Sequence, residues 1–331
     1  VTTSITCKAI RIHAYGDADA LKYEDIRVAA PQAGEIRIQH TAIGLNFIDV
    51  YMRTGLYPLP GLPACIGLEG AGTVEAIGEN VSGFQVGDRV AYASQPPGSY
   101  SQMRTLDASR VVKIPPTISD KTAAAMMLQG LTSQYLVRQT YRVKAGDTVL
   151  MHAAAGGVGL IVCQWAKHLG AHVIGTVGTT EKAALAKAHG CDQTILYRDE
   201  NFKDRVLELT GGQGVNVVYD SIGKDTFEDS LDCLKKRGTM VTFGNASGPV
   251  EPFQPALLGK KGSLFLTRPS LFDYIADPAE MTAMAGELFA LVADGTLQIE
   301  VNQEYPLSAA AQAHADLEAR KTTGSTVLLP Q

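Results

Sequence analysis

Gly146-Asp-Thr-Val-Leu-Met-His-Ala-Ala-Ala-Gly-Gly-Val-Gly-Leu-Ile-Val-Cys-Gln-Trp-Ala-Lys167 reads, in order, as a strand, a turn and a helix. The apolar run Thr148 to His152 predicts the strand. Ala153 to Gly159 are all small and predict the turn, and Leu160 to Leu169 predict the helix. Small residues let a backbone approach a pyrophosphate, and a helix start offers free N–H groups and a positive dipole end. The turn departs from strict G-x-G-x-x-G, because Ala154 stands where the first Gly would be. A glycine pattern alone is a weak signal, and an ordinary strand-to-helix turn is the competing reading. The strand before it and the helix after it favour a nucleotide site.

Downstream, strand-like and helix-like runs alternate. His172–Val177, Thr194–Leu196, Asn216–Ser221, Gly238–Phe243 and Ser263–Thr267 are the predicted strands. That is the rhythm of an open parallel sheet, Val/Ile-rich on both faces as a doubly covered sheet requires. Upstream, Asp120 to Val143 predict one or two helices. The first 120 residues are β-rich, with strands at Ala9–His13, Glu35–Ala42, Gly72–Ile77 and Arg89–Ala93 and loops at 55–63 and 95–98. An amphipathic helix (Pro278–Asp294) and a last strand (Thr326–Leu329) follow. The residues alone would also permit a separate small subdomain there.

A chain of 331 residues suggests two domains, each able to bury a core. The net charge of -5 argues against a nucleic-acid or anionic-membrane surface. The basic cluster Lys235-Lys236-Arg237 is read as the end of a helix before Gly238, where cations complement the helix dipole. Cys7, Cys65, Cys163, Cys191 and Cys233 are scattered and odd in number, which speaks for a reducing compartment. No apolar signal core and no run of about eighteen apolar residues is seen, so a cytoplasmic protein is expected.

The turn segment resembles the signature of the zinc-free quinone oxidoreductases, the zeta-crystallin group of the medium-chain dehydrogenase/reductase superfamily. The matching residues are Gly146, Asp147, Leu150, Ala154, Ala155, Gly156, Gly157, Gly159, Gln164 and Lys167. Resemblance continues in Asn46-Phe-Ile-Asp-Val-Tyr-Met-Arg-Thr-Gly-Leu-Tyr57 and Thr267-Arg-Pro-Ser270. It implies an α/β protein with a Rossmann-type six-stranded parallel sheet domain (125–265). A β-rich GroES-like catalytic domain (1–124 and 266–331) would take up the tail. It also implies a homodimer, with the strand Ser263–Thr267 of two subunits pairing across a two-fold axis.

An NAD-specific unit places an Asp or Glu on the ribose 2′-hydroxyl about 20 residues past the turn. Gly178, followed by Thr179 and Thr180, stands there, and Lys182 falls in the first turn of the next helix. A missing carboxylate removes repulsion toward a 2′-phosphate, and a lysine beside a helix start adds attraction, so NADPH is the expected cofactor. A solvated surface lysine is the plainer reading, and the adjacent Glu181 complicates the charge. The resemblance matches Tyr197 to a phosphate-holding Tyr and adds Thr132, Arg268 and Arg320. The expected cofactor contacts are the turn residues Gly156, Gly157, Val158 and Gly159, and Ser221, Phe243 and Gly244 at strand ends. Gly223 and Asn245 are further candidates, and Phe243 could be plain core.

Zinc alcohol dehydrogenases of this superfamily bind catalytic zinc through a Cys, a Gly-His-Glu motif and a later Cys or Asp. Here Asn46 stands at the first Cys and Gly67-Leu68-Glu69 at the motif, so the soft and imidazole donors are missing. The seven histidines are not paired at metal spacing. No metal is expected, and the acceptor should need little activation. A quinone fits, because hydride addition yields a stabilised aryloxide. Asn46, Tyr51 and Tyr57 are the candidate catalytic residues: an amide to bond a carbonyl or cofactor hydroxyl, and two hydroxyls to meet oxyanion charge. Asp49 is read as a helix cap. The sequence thus predicts an NADPH-dependent quinone reductase acting in a cleft between its domains. A zinc-free enoyl or 2-alkenal reductase acting on conjugated carbonyls is the second reading, and Tyr57 matches a Tyr of such enzymes. A binding or structural role, as in lens crystallins or RNA binding, is the third and least favoured.

Overall fold

The structure is a computed structural model describing residues 3–330. In chain order the first elements are β1 (Ile5–Ile12), β2 (Lys22–Val28), β3 (Glu35–Leu45), α1 (Phe47–Thr54), β4 (Ala64–Cys65), β5 (Glu69–Ile77), β6 (Arg89–Ala93), β7 (Met103–Asp107), β8 (Val112–Lys113) and α2 (Asp120–Tyr135). The alternating segment follows as β9 (Thr148–Met151), α3 (Gly157–His168), β10 (His172–Val177), α4 (Thr180–Ala188), β11 (Gln193–Leu196), α5 (Phe202–Leu209), β12 (Val215–Asp220), α6 (Phe227–Asp232), β13 (Leu234–Thr242), α7 (Ala256–Lys260) and β14 (Phe265–Thr267). The tail comprises α8 (Leu271–Tyr274), α9 (Pro278–Ala293), β15 (Val301–Pro306), α10 (Ala310–Glu318) and β16 (Ser325–Leu329). Among the described residues, no helix is long and apolar enough to cross a membrane.

Two compact units emerge. The second holds Gly130–Tyr274 and Asp294–Gln298. Its six strands run parallel in the order β11-β10-β9-β12-β13-β14. Helices on both faces explain the unbroken apolar runs of its central strands: Val149, Leu150, Val217, Val218 and Tyr219 are fully buried. Thr179 caps α4 through its side-chain oxygen, and Asn201 caps α5. The strand order reverses between β10-β9 and β9-β12, which is where ligands of such sheets bind.

The first unit holds 1–129, Ile275–Ala293 and Ile299–Gln331. β15, β16, β3, β5, β6 and β8 form one sheet, with β7 also on β3, and β2, β1 and β4 form a smaller one. The tail is no separate subdomain: β16 runs antiparallel to β3, Thr326 opposite Leu45. Isoleucines and valines of alternating strand positions (Ile36, Ile38, Val74, Val90) close its core.

One local expectation is overturned. Lys235-Lys236-Arg237 do not end a helix, because α6 stops at Asp232. They lie in β13, on an irregularity where Leu234 pairs Val215 but the next partners are Thr239 and Val217. Arg237 takes φ 61°, and its N–H donates to Gly262 O at 2.8 Å. The three side chains are exposed, so charge accommodates the bulge rather than a dipole.

Candidate functional site

In the second unit, β9 ends at Met151 and the chain turns at Ala153, whose φ of 53° costs an L-residue roughly 1–2 kcal/mol. Gly156 N donates to Ala153 O at 2.9 Å, and α3 opens at Gly157. A Cβ on Gly159 would stand 2.3 Å from Ala153 O and 2.8 Å from Ala154 Cα, so this position needs glycine. Ala154 fits in place of the first motif glycine because its partner strand supplies the space: a Cβ on Gly175 of β10 would lie 2.6 Å from the Ala154 Cβ. Gly156, Gly157 and Val158 are half-buried at the helix start. A dinucleotide pyrophosphate fits this cradle, with the amides of α3 as its donors.

At the end of β10, a Cβ on Gly178 would meet the Tyr197 hydroxyl at 2.9 Å and Arg198 Nε at 3.4 Å. Gly178, Tyr197 and Arg198 therefore share one corner at the carboxyl ends of β10 and β11. Sequence reasoning missed Arg198; its place beside a matched Tyr was the available signal. Thr179 is the N-cap of α4 and Lys182 its third helical residue, whose backbone N–H donates to Thr179 Oγ1 at 3.3 Å.

Further along the sheet, Ser221 follows β12, and Phe243 and Gly244 follow β13. Phe243 is half-buried. A Cβ on Gly244 would lie 2.5 Å from Ser221 O, so the neighbouring backbone already requires this glycine. The same holds for Gly223, against Gly248 O at 2.6 Å. Asp220, fully buried, ties this turn by accepting from Ile222 N at 2.7 Å and Thr226 Oγ1 at 2.9 Å. Thr132, buried on α2, hydrogen-bonds Tyr135, which stacks on Tyr274 at 4.4 Å and feels the positive charge of Arg268. Arg268 is exposed just after β14.

The other named residues belong to the first unit. Arg320 is exposed beyond α10 at φ 58°. Asn46 is the N-cap of α1 and is 6% exposed. Asp49 lies within α1 rather than before it, at the third helical position, where its Oδ2 accepts from Asn46 N at 2.9 Å. It still caps this helix, through the reciprocal half of a capping box. Tyr51 is buried on α1. Tyr57 is half-buried after α1, its N–H donating to Tyr51 O at 3.0 Å and its ring edge-on to Tyr51 at 5.2 Å.

Asn46 is set in a buried polar chain. Its Nδ2 donates to Glu69 Oε1 at 2.6 Å, and its Oδ1 accepts from Gln129 Nε2 at 3.1 Å. Glu69 Oε2 accepts from Leu128 N at 2.6 Å. Burial pushes Glu69 up to about 8 against those two hydrogen bonds, and pushes Asp49 up to about 7. Asp49 Oδ2 also accepts from the Tyr100 hydroxyl at 3.0 Å. That oxygen meets His314 Nε2 at 3.0 Å, and His314 Nδ1 meets Arg53 Nη1 at 3.2 Å. Arg53, 1% exposed, closes the series on Glu318 with two bonds of 2.8 Å. An arginine can only donate, so His314 carries its proton on Nε2; burial holds it neutral, down at about 3.

The donor set does not suit zinc. Asn46 offers an already bonded amide, and Leu68, fully buried, offers no donor at all. Among the described residues, no group of three or more His, Cys, Asp or Glu could hold a metal.

Comparison with known proteins agrees with this architecture. A family model described as alcohol dehydrogenase GroES-like domain matches residues 32–116, and one described as zinc-binding dehydrogenase matches 157–283. The chain is 55% identical to a quinone oxidoreductase of Pseudomonas aeruginosa, over 98% of this chain and 99% of that protein. It is 46% identical to a 2-haloacrylate reductase of a Burkholderia species, over 97% and 98%. The crystal structure of Escherichia coli quinone oxidoreductase complexed with NADPH superposes with a TM-score of 0.96 at 48% identity, covering 98% of this chain and all of that one. The chain belongs to the quinone oxidoreductase family of the medium-chain dehydrogenase/reductase superfamily.

Proposed function

We propose that this protein reduces quinones with NADPH, by hydride transfer without a metal. The observation that carries this reading is the pairing of an intact dinucleotide turn with the loss of the metal donors at Asn46 and Leu68. NADPH, when bound, supplies the hydride. The chain's own residues bind and orient. The turn at Gly156–Gly159 takes the pyrophosphate on the α3 amides. Gly178, Thr179, Lys182, Tyr197 and Arg198 receive the 2′-phosphate, where no carboxylate repels it. Thr132, Ser221, Phe243, Gly244, Arg268 and Arg320 are proposed to line the rest of the coenzyme. Asn46, Tyr51 and Tyr57 meet the acceptor: the amide positions it, and a hydroxyl donates to the oxyanion that develops. The test is NADPH oxidation with a panel of naphthoquinones and enones, before and after dialysis against a strong chelator. Retained quinone turnover is expected; activity lost together with stoichiometric zinc overturns the reading.

A conjugated carbonyl is the second acceptor class, favoured by the likeness to the 2-haloacrylate reductase. Its turnover above that of every quinone in the same panel would put it first. We further propose that the protein works in the cytoplasm as a homodimer. β14 is the last strand of its sheet and Phe265 on it is 63% exposed, an edge suited to the same strand of a second copy. A monomeric mass by light scattering at micromolar concentration refutes the dimer.

A further inference from the structure

The segment that carries Tyr57 is stiff, and a side chain from the end of β1 pins it. From Gly55 to Pro63 the chain reads Gly-Leu-Tyr-Pro-Leu-Pro-Gly-Leu-Pro. Pro58, Pro60 and Pro63 fix φ and donate no backbone hydrogen bond. Across Pro58, Leu59 and Pro60 the only backbone N–H is therefore that of Leu59, and it donates to the Tyr15 hydroxyl at 2.9 Å. The Tyr15 ring meets the start of the same segment. A Cβ on Gly55, which takes φ 84°, would lie between 2.9 and 3.2 Å from three of its ring carbons. Left-handed and covered by a ring, position 55 needs glycine on both counts. Arg11 of β1 ties down the far end, its Nη2 donating to Pro63 O at 3.1 Å.

These pins are themselves held. Next to Tyr15, Gly16 N donates to Arg53 O at 3.1 Å, and Arg53 Nε donates back to Gly16 O at 3.1 Å, which joins the end of β1 to α1. Arg11 Nη1 donates to Glu24 Oε1 of β2 at 3.0 Å. All of these groups lie within the first unit. Tyr15 is 40% exposed and lies outside the buried core, so its removal bears on this segment more than on the fold.

We propose that Tyr15 is a positioning residue for Tyr57: its ring and hydroxyl together fasten segment 55–63 and so keep the Tyr57 hydroxyl in place to meet the acceptor. This rests on the proposed role of Tyr57. Substrate contact belongs to Tyr57, and Tyr15 acts through the main chain. Tyr57 has other contacts, among them its N–H on Tyr51 O at 3.0 Å and its ring against Tyr51. Loss of Tyr15 should therefore loosen it, not release it. A misplacement of about 1 Å can cost about a hundredfold in rate, and loosening short of that sets an expected loss of about three- to tenfold.

Two substitutions separate the two contacts. Tyr15→Phe keeps the ring on Gly55 and removes the acceptor for Leu59 N, whereas Tyr15→Ala removes both. Hydrogen exchange is read on the full chain labelled with nitrogen-15 leucine, the Leu59 amide being identified by its loss in Leu59→Ile. That amide should exchange at least about tenfold faster in either variant. With NADPH and an enone, kcat should fall about three- to tenfold in Tyr15→Ala and by less in Tyr15→Phe. Turnover of a naphthoquinone and KM for NADPH should stay within about twofold. A merely structural role would not confine the loss to one acceptor class. Adding Tyr15→Ala to Tyr57→Phe should cost enone turnover nothing further. A Leu59 amide that keeps its wild-type exchange rate in both variants overturns the proposal. So does an enone loss that persists undiminished in the Tyr57→Phe background, or an equal loss for both acceptor classes. Enone turnover untouched by Tyr15→Ala where Tyr57→Phe lowers it overturns it as well. If Tyr57→Phe changes no turnover while Leu59 exchange rises in both variants, the reading of Tyr57 fails and the fastening of its segment by Tyr15 stands.

Discussion

Gly178→Asp should convert the coenzyme preference of this protein. Gly178 follows the strand that leads into α4, and the space a Cβ would occupy lies 2.9 Å from the Tyr197 hydroxyl and 3.4 Å from Arg198 Nε. An aspartate carboxylate, one bond further out, would pair with Arg198 and withdraw it from a 2′-phosphate. Losing a charge-assisted hydrogen bond costs about 1.5–3 kcal/mol. A carboxylate about 6 Å from the phosphate adds roughly 1–3 kcal/mol of repulsion at an effective dielectric constant of about 20–40. Together these predict a loss of about 2.5–6 kcal/mol for NADPH relative to NADH, or roughly 60- to 20,000-fold in the ratio of their kcat/KM values. Tyr197 is 38% exposed and can swing aside, so the fold should hold. The assay is steady-state kinetics with both coenzymes at low and at high salt. NADH should keep its kcat/KM within about threefold, and the change in preference should shrink as salt rises. A ratio altered by less than about threefold at low salt, in a variant that still uses NADH normally, refutes the reasoning.

Lys182→Ala should raise KM for NADPH by about 10- to 150-fold and leave NADH nearly unchanged, measured in the same assay. Tyr57→Phe should lower kcat for enones more than for quinones, whose product charge is already delocalised; Tyr51→Phe shows the pattern instead if that hydroxyl is the donor, and no change in either variant removes both from the reaction. Thermal stability should fall as pH rises from about 4.5 to about 8 and level off above that. Folding raises Glu69 from 4.5 to about 8, so its contribution is complete below 4.5 and is lost as the buried carboxyl ionises. That displacement is worth on the order of 5 kcal/mol, and Glu69→Gln should flatten the decline between about pH 4.5 and pH 8; equal slopes in melting curves of the two proteins count against it.

What the sequence disclosed follows from the range of the forces involved. The six-stranded sheet was legible because strand periodicity and glycine turns are local, and His172–Val177 forms β10 with the expected bounds. Lys235–Arg237 misled because three cations before a glycine look alike at a helix end and on a strand bulge; the pairing with β12 that decides between them is non-local. The packing demand on Gly244 was hidden because its neighbour, Ser221 O, comes from another strand end. The place of Arg198 and the buried setting of Glu69 were invisible for the same reason. Arg198 gains its meaning from Gly178, twenty positions earlier, and Glu69 from Asn46, Leu128 and a helix that folds onto it.

The two units are held by different kinds of contact, and this governs how their variants should be read. In the second unit the decisive contacts are backbone against backbone: Gly159 against Ala153 O, Gly244 against Ser221 O, Gly223 against Gly248 O. A side chain added there displaces main chain, so effects should be abrupt and accompanied by loss of stability. In the first unit the decisive contacts are exchangeable polar pairs, and effects should be graded. Asn46 is the test of that distinction. The start of α1 is held by Asp49 Oδ2 accepting the backbone N–H of residue 46, which any residue but proline supplies. Asn46→Ala therefore removes the carboxamide while sparing that bond, and α1 keeps its second anchor from Arg53 to Glu318. The variant also takes the amide away from Glu69 Oε1 and Gln129 Nε2, so melting should fall by an amount set by those two bonds; a loss of turnover well below the melting temperature then reports on the amide itself and not on the helix that carries Tyr51.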